Sequence, residues 1–444
     1  MPTSSGKLPE RRKEAVMNMQ TTNPPAIRLT AAEIALVEAF TARVGELPGN
    51  GAVIGTRDRL LDDLKKSGLP TRRIEAWHYT DLKNLLRVIP DAQATAMADA
   101  VAPLVEGASV LPVLQGVADA RVVLDGVDLA VLKDRLVDGT AAAGLTALDK
   151  ADAIGRINGS FVTDGYVLDV PAEAQIVAPI ELQVRHAGGQ IHTRFPATFG
   201  AGSRATVIER HQAVTEDAAL VSSVSDIVLE EGAEITWIIL QQQGVSDTHL
   251  GQIRVTLGKD AKLRLFVINA GGKLVRQELR IDVSGEGAEL MLRGVNLLGG
   301  ESHTDVTLVL GHNVPHTNST ETFRNVVFDR ASGVFQGMIR VAPDAQKTDA
   351  KMACNTLLLS DEADFAAKPE LEIFADDVIC GHGATVADIS KTHLFYLTAR
   401  GIPENRARAM LVRAFVAEIV EELEEEKLVD ALEDVIATWL ERHA

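Results

Sequence analysis

Cysteine is almost missing from this chain: Cys354 and Cys380 are the two that occur in 444 residues. Two thiols in so long a sequence give no disulfide framework, which excludes the stapled secreted class and makes a reducing, cytoplasmic setting the default. An excess of positive charge is missing too. The formal net charge is −18, the wrong sign for nonspecific nucleic-acid binding. No apolar run approaches the roughly 18 residues of a spanning helix, so membrane insertion is not expected. There is no GxxxxGK[ST] run, hence no P-loop nucleotide chemistry, and no HxH or HExxH pair. Clustered carboxylates or a compact His/Glu set, which a pectate-lyase-like or cupin-like enzyme needs, are not advertised locally.

What is present is the composition of a soluble globular protein, 46% hydrophobic and 24% charged, with length for about three domains. Residues 1–26 are polar and proline-bearing, with Met17 and Met19 as internal alternatives to Met1 for initiation, and read as a disordered extension. Residues 27–109 read as helical. Thr30 and Glu33 form a capping box before a stripe of Ile34, Val37, Phe40 and Val44. A second helix is expected over 56–67, with Leu60, Leu61 and Leu64 inward and Gly68 and Pro70 closing it. Trp77, Tyr79, Leu82 and Leu85 then dock the next segment on the body, while the lone His78 has no metal role.

From residue 110 to 365 the pattern changes to short strand-length runs. A turn-plus-strand unit recurs as AGSRATVIER, EEGAEITWII, GKDAKLRLFV and GEGAELMLRG, with an earlier copy in PAEAQIVAPIEL. Its alanines, Ala205, Ala233, Ala261 and Ala288, are spaced 28, 28 and 27 residues, and Ala174 lies 31 before the first. Such a period signals stacked coils, although alternation alone leaves a solenoid and an antiparallel hairpin array both open. The histidines of this body (His186, His192, His211, His249, His303, His312, His316) read as turn or surface residues.

Residues 366–444 read as a C-terminal helical domain. Where it begins, Cys380-Gly-His382-Gly sets a thiol and an imidazole two residues apart on what the glycines suggest is a sharp turn. Two donors can join one metal ion in an open, shared site; spacing alone favours the simpler reading, a packed cysteine and a hydrogen-bonded turn histidine. Gly401 stops one helix and Pro403 starts the next. In that helix Ala407, Met410, Leu411, Ala414, Phe415 and Glu418 recur at helical spacing between Arg406, Arg408 and Arg413; such a stripe is usually core, but beside a self-sufficient β body a partner protein is the sharper reading. The acidic EELEEEK run, 421–427, reads as a solvated helix face.

Three long stretches carry a resemblance. ADDVICGHGATVADI with LFYLTARGIPENRARAMLVRAF, GLPTRRIEAWHYTDL at 68–82, and PDAQKTDAKMACNTLLLSDEADFAAKPELEIFADDV at 343–378 resemble the SufB/SufD family, the scaffold subunits of the SUF iron–sulfur cluster assembly machinery. Leu397 follows Phe395-Tyr396 where SufB characteristically has cysteine, so the chain resembles the SufD side of the family. The resemblance implies a mainly β fold: a right-handed parallel β-helix (β-solenoid) flanked by helical regions. It implies a non-catalytic scaffold supporting iron–sulfur cluster assembly, in the acquisition of iron. The helical hairpin, with Phe395, Tyr396, Arg400, Gly401, Pro403, Arg408, Leu411 and Phe415, would dock a SufC-type ATPase, and the β-helix would pair with a SufB-type scaffold or a second copy of itself. No cofactor is implied as resident; transient iron or a nascent cluster would sit at the SufB interface, with His382 as the metal ligand and Cys380 second. Cys354 would be structural. The rival readings are a β-solenoid enzyme with its own metal, or an adaptor in which Cys380 and His382 bind nothing.

Overall fold

The computed structural model describes residues 28–94 and 96–443; the extension expected at 1–26 lies outside them. The chain begins with helices α1 (Ala31–Arg43) and α2 (Gly51–Ser67), a single 3-10 turn at Glu75–Trp77, and the short α3 (Leu82–Leu85). Strands β1 (Ser109–Leu114), β2 (Val117–Ala118) and β3 (Asp128–Val131) precede α4 (Leu132–Asp138) and α5 (Ala153–Phe161). There follow β4 (Tyr166–Val170), β5 (Ile180–His186), β6 (Gly189–Phe199), β7 (Arg204–Ala213), β8 (Ala219–Leu229), β9 (Glu234–Gln242), β10 (Thr248–Leu257) and β11 (Lys262–Asn269). Then come β12 (Leu274–Val283), β13 (Glu289–Leu298), β14 (His303–His312), β15 (Asn318–Val327), β16 (Ser332–Val341), β17 (Asp349–Leu358), β18 (Asp364–Ile373) and β19 (Ile379–Ala387). Helices α6 (Lys391–Thr398), α7 (Glu404–Val420) and α8 (Glu426–His443) end the chain.

From β4 onwards successive strands alternate between two sheets. One has ten strands, from β19 back through every odd-numbered strand to β5, then β1 and β2; the other has nine, from β18 back through the even-numbered strands to β4, then β3. The coil-to-coil pairs are parallel, as β11 with β13 and β10 with β12, whereas β1–β2 and β3–β4 are antiparallel. The fold is therefore a two-sheet parallel β-solenoid. The antiparallel additions close its first coils and blunt the edges there.

For Ala233, Ala261 and Ala288 the alanine repeat turns out to be a coil corner; Ala205 is out of step, inside β7 opposite Ile235, and the corner there is Gly202–Ser203. Gly232, Asp260 and Gly287 have φ of 69°, 52° and 77°, the left-handed region that reverses the chain most easily at glycine. The residue that follows each is fully buried: Ala233, Ala261 and Ala288. A larger side chain there would displace the next coil. Further corners at His316 (φ 58°) and Lys347 (φ 63°) precede Thr317 and Thr348, both buried. Threonine replaces alanine in these copies, which hides them from a search for the alanine.

Leu263, Leu265, Val267, Leu290 and Leu292 face the interior, where they meet Leu279, Ile281, Leu308 and Leu310 of the other sheet. Helices from the two ends of the chain cover the outer faces. In α1 the capping box is formed, but Leu36 is buried where Ile34, expected inward, is exposed. Helix α2 starts earlier than expected because Asn50 caps it, its side chain accepting from the backbone N–H of Ala52 and Val53. Trp77 is fully buried with Leu82, and Leu86 takes the inward place expected of Leu85. Arg276 of the nine-stranded sheet lies 4.3 Å over the Trp77 ring and donates to the Ala76 carbonyl at 2.7 Å.

The boundary expected at 365/366 falls inside the solenoid, because β18 and β19 continue it through Ala387 and helix resumes only at Lys391. Helix α7 buries Ala407, Val412, Val416, Ile419 and Val420; α8 adds Leu428, Leu432, Ile436 and Leu440 against the outer face of the ten-stranded sheet. The stripe expected to face a partner is thus turned partly onto the protein's own sheet, with Met410, Ala414 and Glu418 left exposed. The acidic run is not simply solvated. Glu422 and Glu424 pair with Arg293 and Arg264 of that sheet at 2.6 and 3.2 Å, as Glu418 just before the run does with Arg324 at 2.8 Å.

Candidate functional site

Cys380 and His382 lie in a strand, not on a turn. Neither Gly381 nor Gly383 has a positive φ, and β19 pairs with β17 along its length: Ala350 with Cys380, Met352 with His382, Cys354 with Ala384. The glycines occupy the alternate positions, where an added Cβ would meet nothing. Ala350, Met352 and Cys354 belong to the buried interior row, and side chains two apart on a strand share a face. Cys380 and His382 therefore continue that row. Among the described residues no coil follows β18 and β19, so the interior row surfaces here: Cys380 is half-buried and His382 exposed.

Burial pushes the Cys380 thiol above its ordinary range, and the carboxylates of Asp349 and Glu321 act in the same direction. It is a protonated thiol until something with positive charge replaces the proton. No group of three or more His, Cys, Asp or Glu among the described residues is arranged to hold a metal. The pair is half of a tetrahedral set at most. Cys354, one coil deeper, is buried, with its thiol pushed up to about 12 by burial and the Asn325 amide donating to its sulfur at 3.3 Å. That is a packing role.

Around this open end the sheet edges carry exposed apolar side chains: Ile373, Phe374, Ile379 and Val386. Long unpaired edges with apolar residues pair with other chains unless covered. The second exposed feature is the α6–α7 hairpin. Phe395 is 72% and Tyr396 56% exposed, so a search for buried residues would have missed both. Arg400 holds Tyr396 in place, its guanidinium 3.4 Å from the ring centroid and donating to the Tyr396 carbonyl at 3.0 Å. Gly401 makes the turn with φ 84°, and Pro403 stands at the N-cap of α7. Arg408 is exposed and pairs with Glu404 at 3.2 Å. Leu411 and Phe415 pack partly on the protein's own core, with Arg324 4.9 Å over the Phe415 ring. The hairpin's free face is therefore Phe395, Tyr396, Arg400, Pro403 and Arg408.

Five of the histidines expected at turns or on the surface are buried: His186, His192, His211, His249 and His312. Gln243 bridges His186 and His249, and His211 meets Glu209 at 2.8 Å. Burial lowers His186 and His312 to about 4 and His192 to about 3, so these imidazoles are neutral core residues. Four are buried in the coil interior and His192 under α5, where it stacks on Phe161; no local pattern in the sequence announces either.

Geometry of this kind defines a β-solenoid protein whose last coil is open and presents a thiol and an imidazole on its interior row. Residues 183–415 match the family model described as SUF system FeS cluster assembly, SufBD core domain, and the chain belongs to that family. It is 29% identical to the iron-sulfur cluster assembly protein SufD of Escherichia coli over 83% of this chain and 88% of that protein. A SufBD family protein of Synechocystis is 28% identical over 62% of this chain and 63% of its own length, and one of Mycobacterium leprae 26% identical over 84% and 91%. The protein is thus SufD-like. No helix among the described residues is long and apolar enough to cross a membrane.

Proposed function

We propose that this protein is a non-catalytic, SufD-like scaffold subunit that supports assembly of iron–sulfur clusters in the cytoplasm, in the step that brings in iron. The observation that carries the reading is the open last coil, where Cys380 and His382 surface on the interior row beside unpaired edges. A SufB-type scaffold, or a second copy of this chain, covers the β18–β19 end and completes the donor set. Iron or a nascent cluster is then a transient cargo, with His382 as ligand and Cys380 as the auxiliary thiolate. The α6–α7 hairpin docks a SufC-type ATPase through its free face. Nucleotide-driven closure of two such ATPases opens the scaffold interface as a rigid-body transition.

Anaerobic reconstitution of the chain co-expressed with SufB- and SufC-type partners tests the site. With His382→Ala at matched complex assembly, iron content and cluster absorbance fall by about tenfold, the loss of one good ligand; an unchanged yield removes His382 from the site. Docking has its own test. Phe395→Ala with Tyr396→Ala abolishes co-purification of the ATPase while stability changes by less than about 0.5 kcal/mol, because both side chains are exposed. Retained co-purification would place the ATPase elsewhere.

A further inference from the structure

Leu292, Glu321, Met352 and His382 stand in register on β13, β15, β17 and β19. The interior file that surfaces at His382 thus contains a carboxylic acid two coils down. Glu321 is fully buried, and neither of its oxygens makes a well-formed hydrogen bond among the described residues; the Ser319 hydroxyl and the Glu321 backbone N–H lower the carboxyl but do not offset its burial.

The groups around it offer little compensation. Ser319, next on the same face of β15, is shared between the His312 imidazole at 3.1 Å and the Glu321 carboxyl, which it lowers. Arg293 acts on Glu321 only through space: its guanidinium is on the other side of the sheet, bound to the Leu292 and Thr320 carbonyls and to Glu422. Across the interior, Phe335 packs on Phe323, and Gly337 faces the Met352 sulfur. Asp349 and Cys380 lie towards the open end, and the Glu321 charge is felt at the Cys380 thiol. Burial drives the Glu321 carboxyl up to about 8, so it is mostly uncharged at neutral pH.

Other interior polar side chains are at least partly paired, although the Asn269 oxygen and the His211 Nδ1 also lack partners. Asn269 donates to Asn296 and Asn296 to Asn325, each at 2.7 Å. An orphaned buried acid is costly and demands a reason. A cation placed near a buried carboxyl favours its ionised form.

We propose that Glu321 is the charge-compensating residue of the end-coil site, a carboxyl stored uncharged beneath Cys380 and His382 that releases its proton to solvent when a divalent cation is held there. The inference rests on the reading of that pair as the cargo site. On loading, the Glu321 carboxyl loses its proton to solvent, and no electron moves. The carboxylate so formed offsets part of the incoming positive charge in a poorly solvated coil.

Anaerobic calorimetry of the full-length chain with Cd²⁺, run in two buffers of different ionisation heat, counts the protons released. Relative to wild type, Glu321→Gln is expected to release close to one proton fewer near pH 7 and to bind about tenfold more weakly, with Glu321→Asp restoring both. A purely structural role would not move the proton count. If His382→Ala binds Cd²⁺ as wild type does, the cargo-site reading fails and the inference with it. If His382→Ala loses binding while Glu321→Gln keeps both affinity and proton count, the inference alone is overturned.

Discussion

Replacing Arg276 by alanine is expected to cost about 3–5 kcal/mol, the effect of stripping the partner from buried charge. Arg276 is fully buried between Glu278 and Asp305, themselves fully buried. Burial alone would raise the Glu278 carboxyl, but Arg276 and Arg280 outweigh it and hold it below its ordinary value. Without the guanidinium, two carboxylates face each other with Arg280 at 3.4 Å, Gln252 at 3.1 Å, the Thr307 hydroxyl at 3.0 Å and the Thr80 hydroxyl in support. The same substitution frees the N-terminal segment, since Arg276 also covers Trp77 and binds the Ala76 carbonyl. Chemical denaturation reads the loss. Limited proteolysis is expected to cut first between residues 70 and 90. The triple change Arg276→Met, Glu278→Leu, Asp305→Leu should recover most of the stability, because it removes the buried charges together. A loss under about 1 kcal/mol for the single variant would show that water or protons reach the carboxylates.

This ion cluster was not legible in the sequence, for a physical reason. Arg276, Glu278 and Asp305 are ordinary strand residues, and what buries them is the docking of a segment some 200 positions away, as the Arg276–Ala76 contact shows. Local features were read more easily. The capping box at Thr30 and the inward leucines of α2 follow from helix chemistry within a few residues, and the coil period follows from a corner that needs a left-handed residue and a small one. Errors arose where tertiary burial overrides local propensity. Gly381 and Gly383 suggest a turn, yet pairing with β17 holds them extended. The α7 stripe is rotated because the ten-stranded sheet accepts Val412 and Val416, leaving Met410 outside. At the candidate site, the spacing of Cys380 and His382 was visible. That they share the interior face, and that Glu321 shares their row, depends on register across strands some 30 residues apart.

Substitution of that glutamate should also change how stability depends on pH. Glu321 titrates near 8 in the folded chain against 4.5 for an ordinary glutamate. Below about pH 4.5 both states hold the proton and the acid carries no ionisation penalty. As pH rises through that window the unfolded chain ionises while the folded one resists, so stability falls by about 1.4 kcal/mol per unit. Above pH 8 the penalty levels off at about 4–5 kcal/mol. Glu321→Met removes the ionisable group and suits the file of Leu292 and Met352. Its gain over wild type is therefore expected to be small at pH 4.5, to grow to several kcal/mol by pH 8.5, and to be flat beyond. Urea unfolding at pH 4.5, 6.5 and 8.5 measures this difference. Parallel wild-type and variant curves would mean that Glu321 ionises freely in the folded chain. The predicted divergence instead shows a protein carrying, at the pH where it works, an acid whose removal would make it more stable. Packing cannot account for such a residue, since packing is improved by losing it; a cation arriving above it at His382 reverses the sign of its contribution, for ionisation is then favoured.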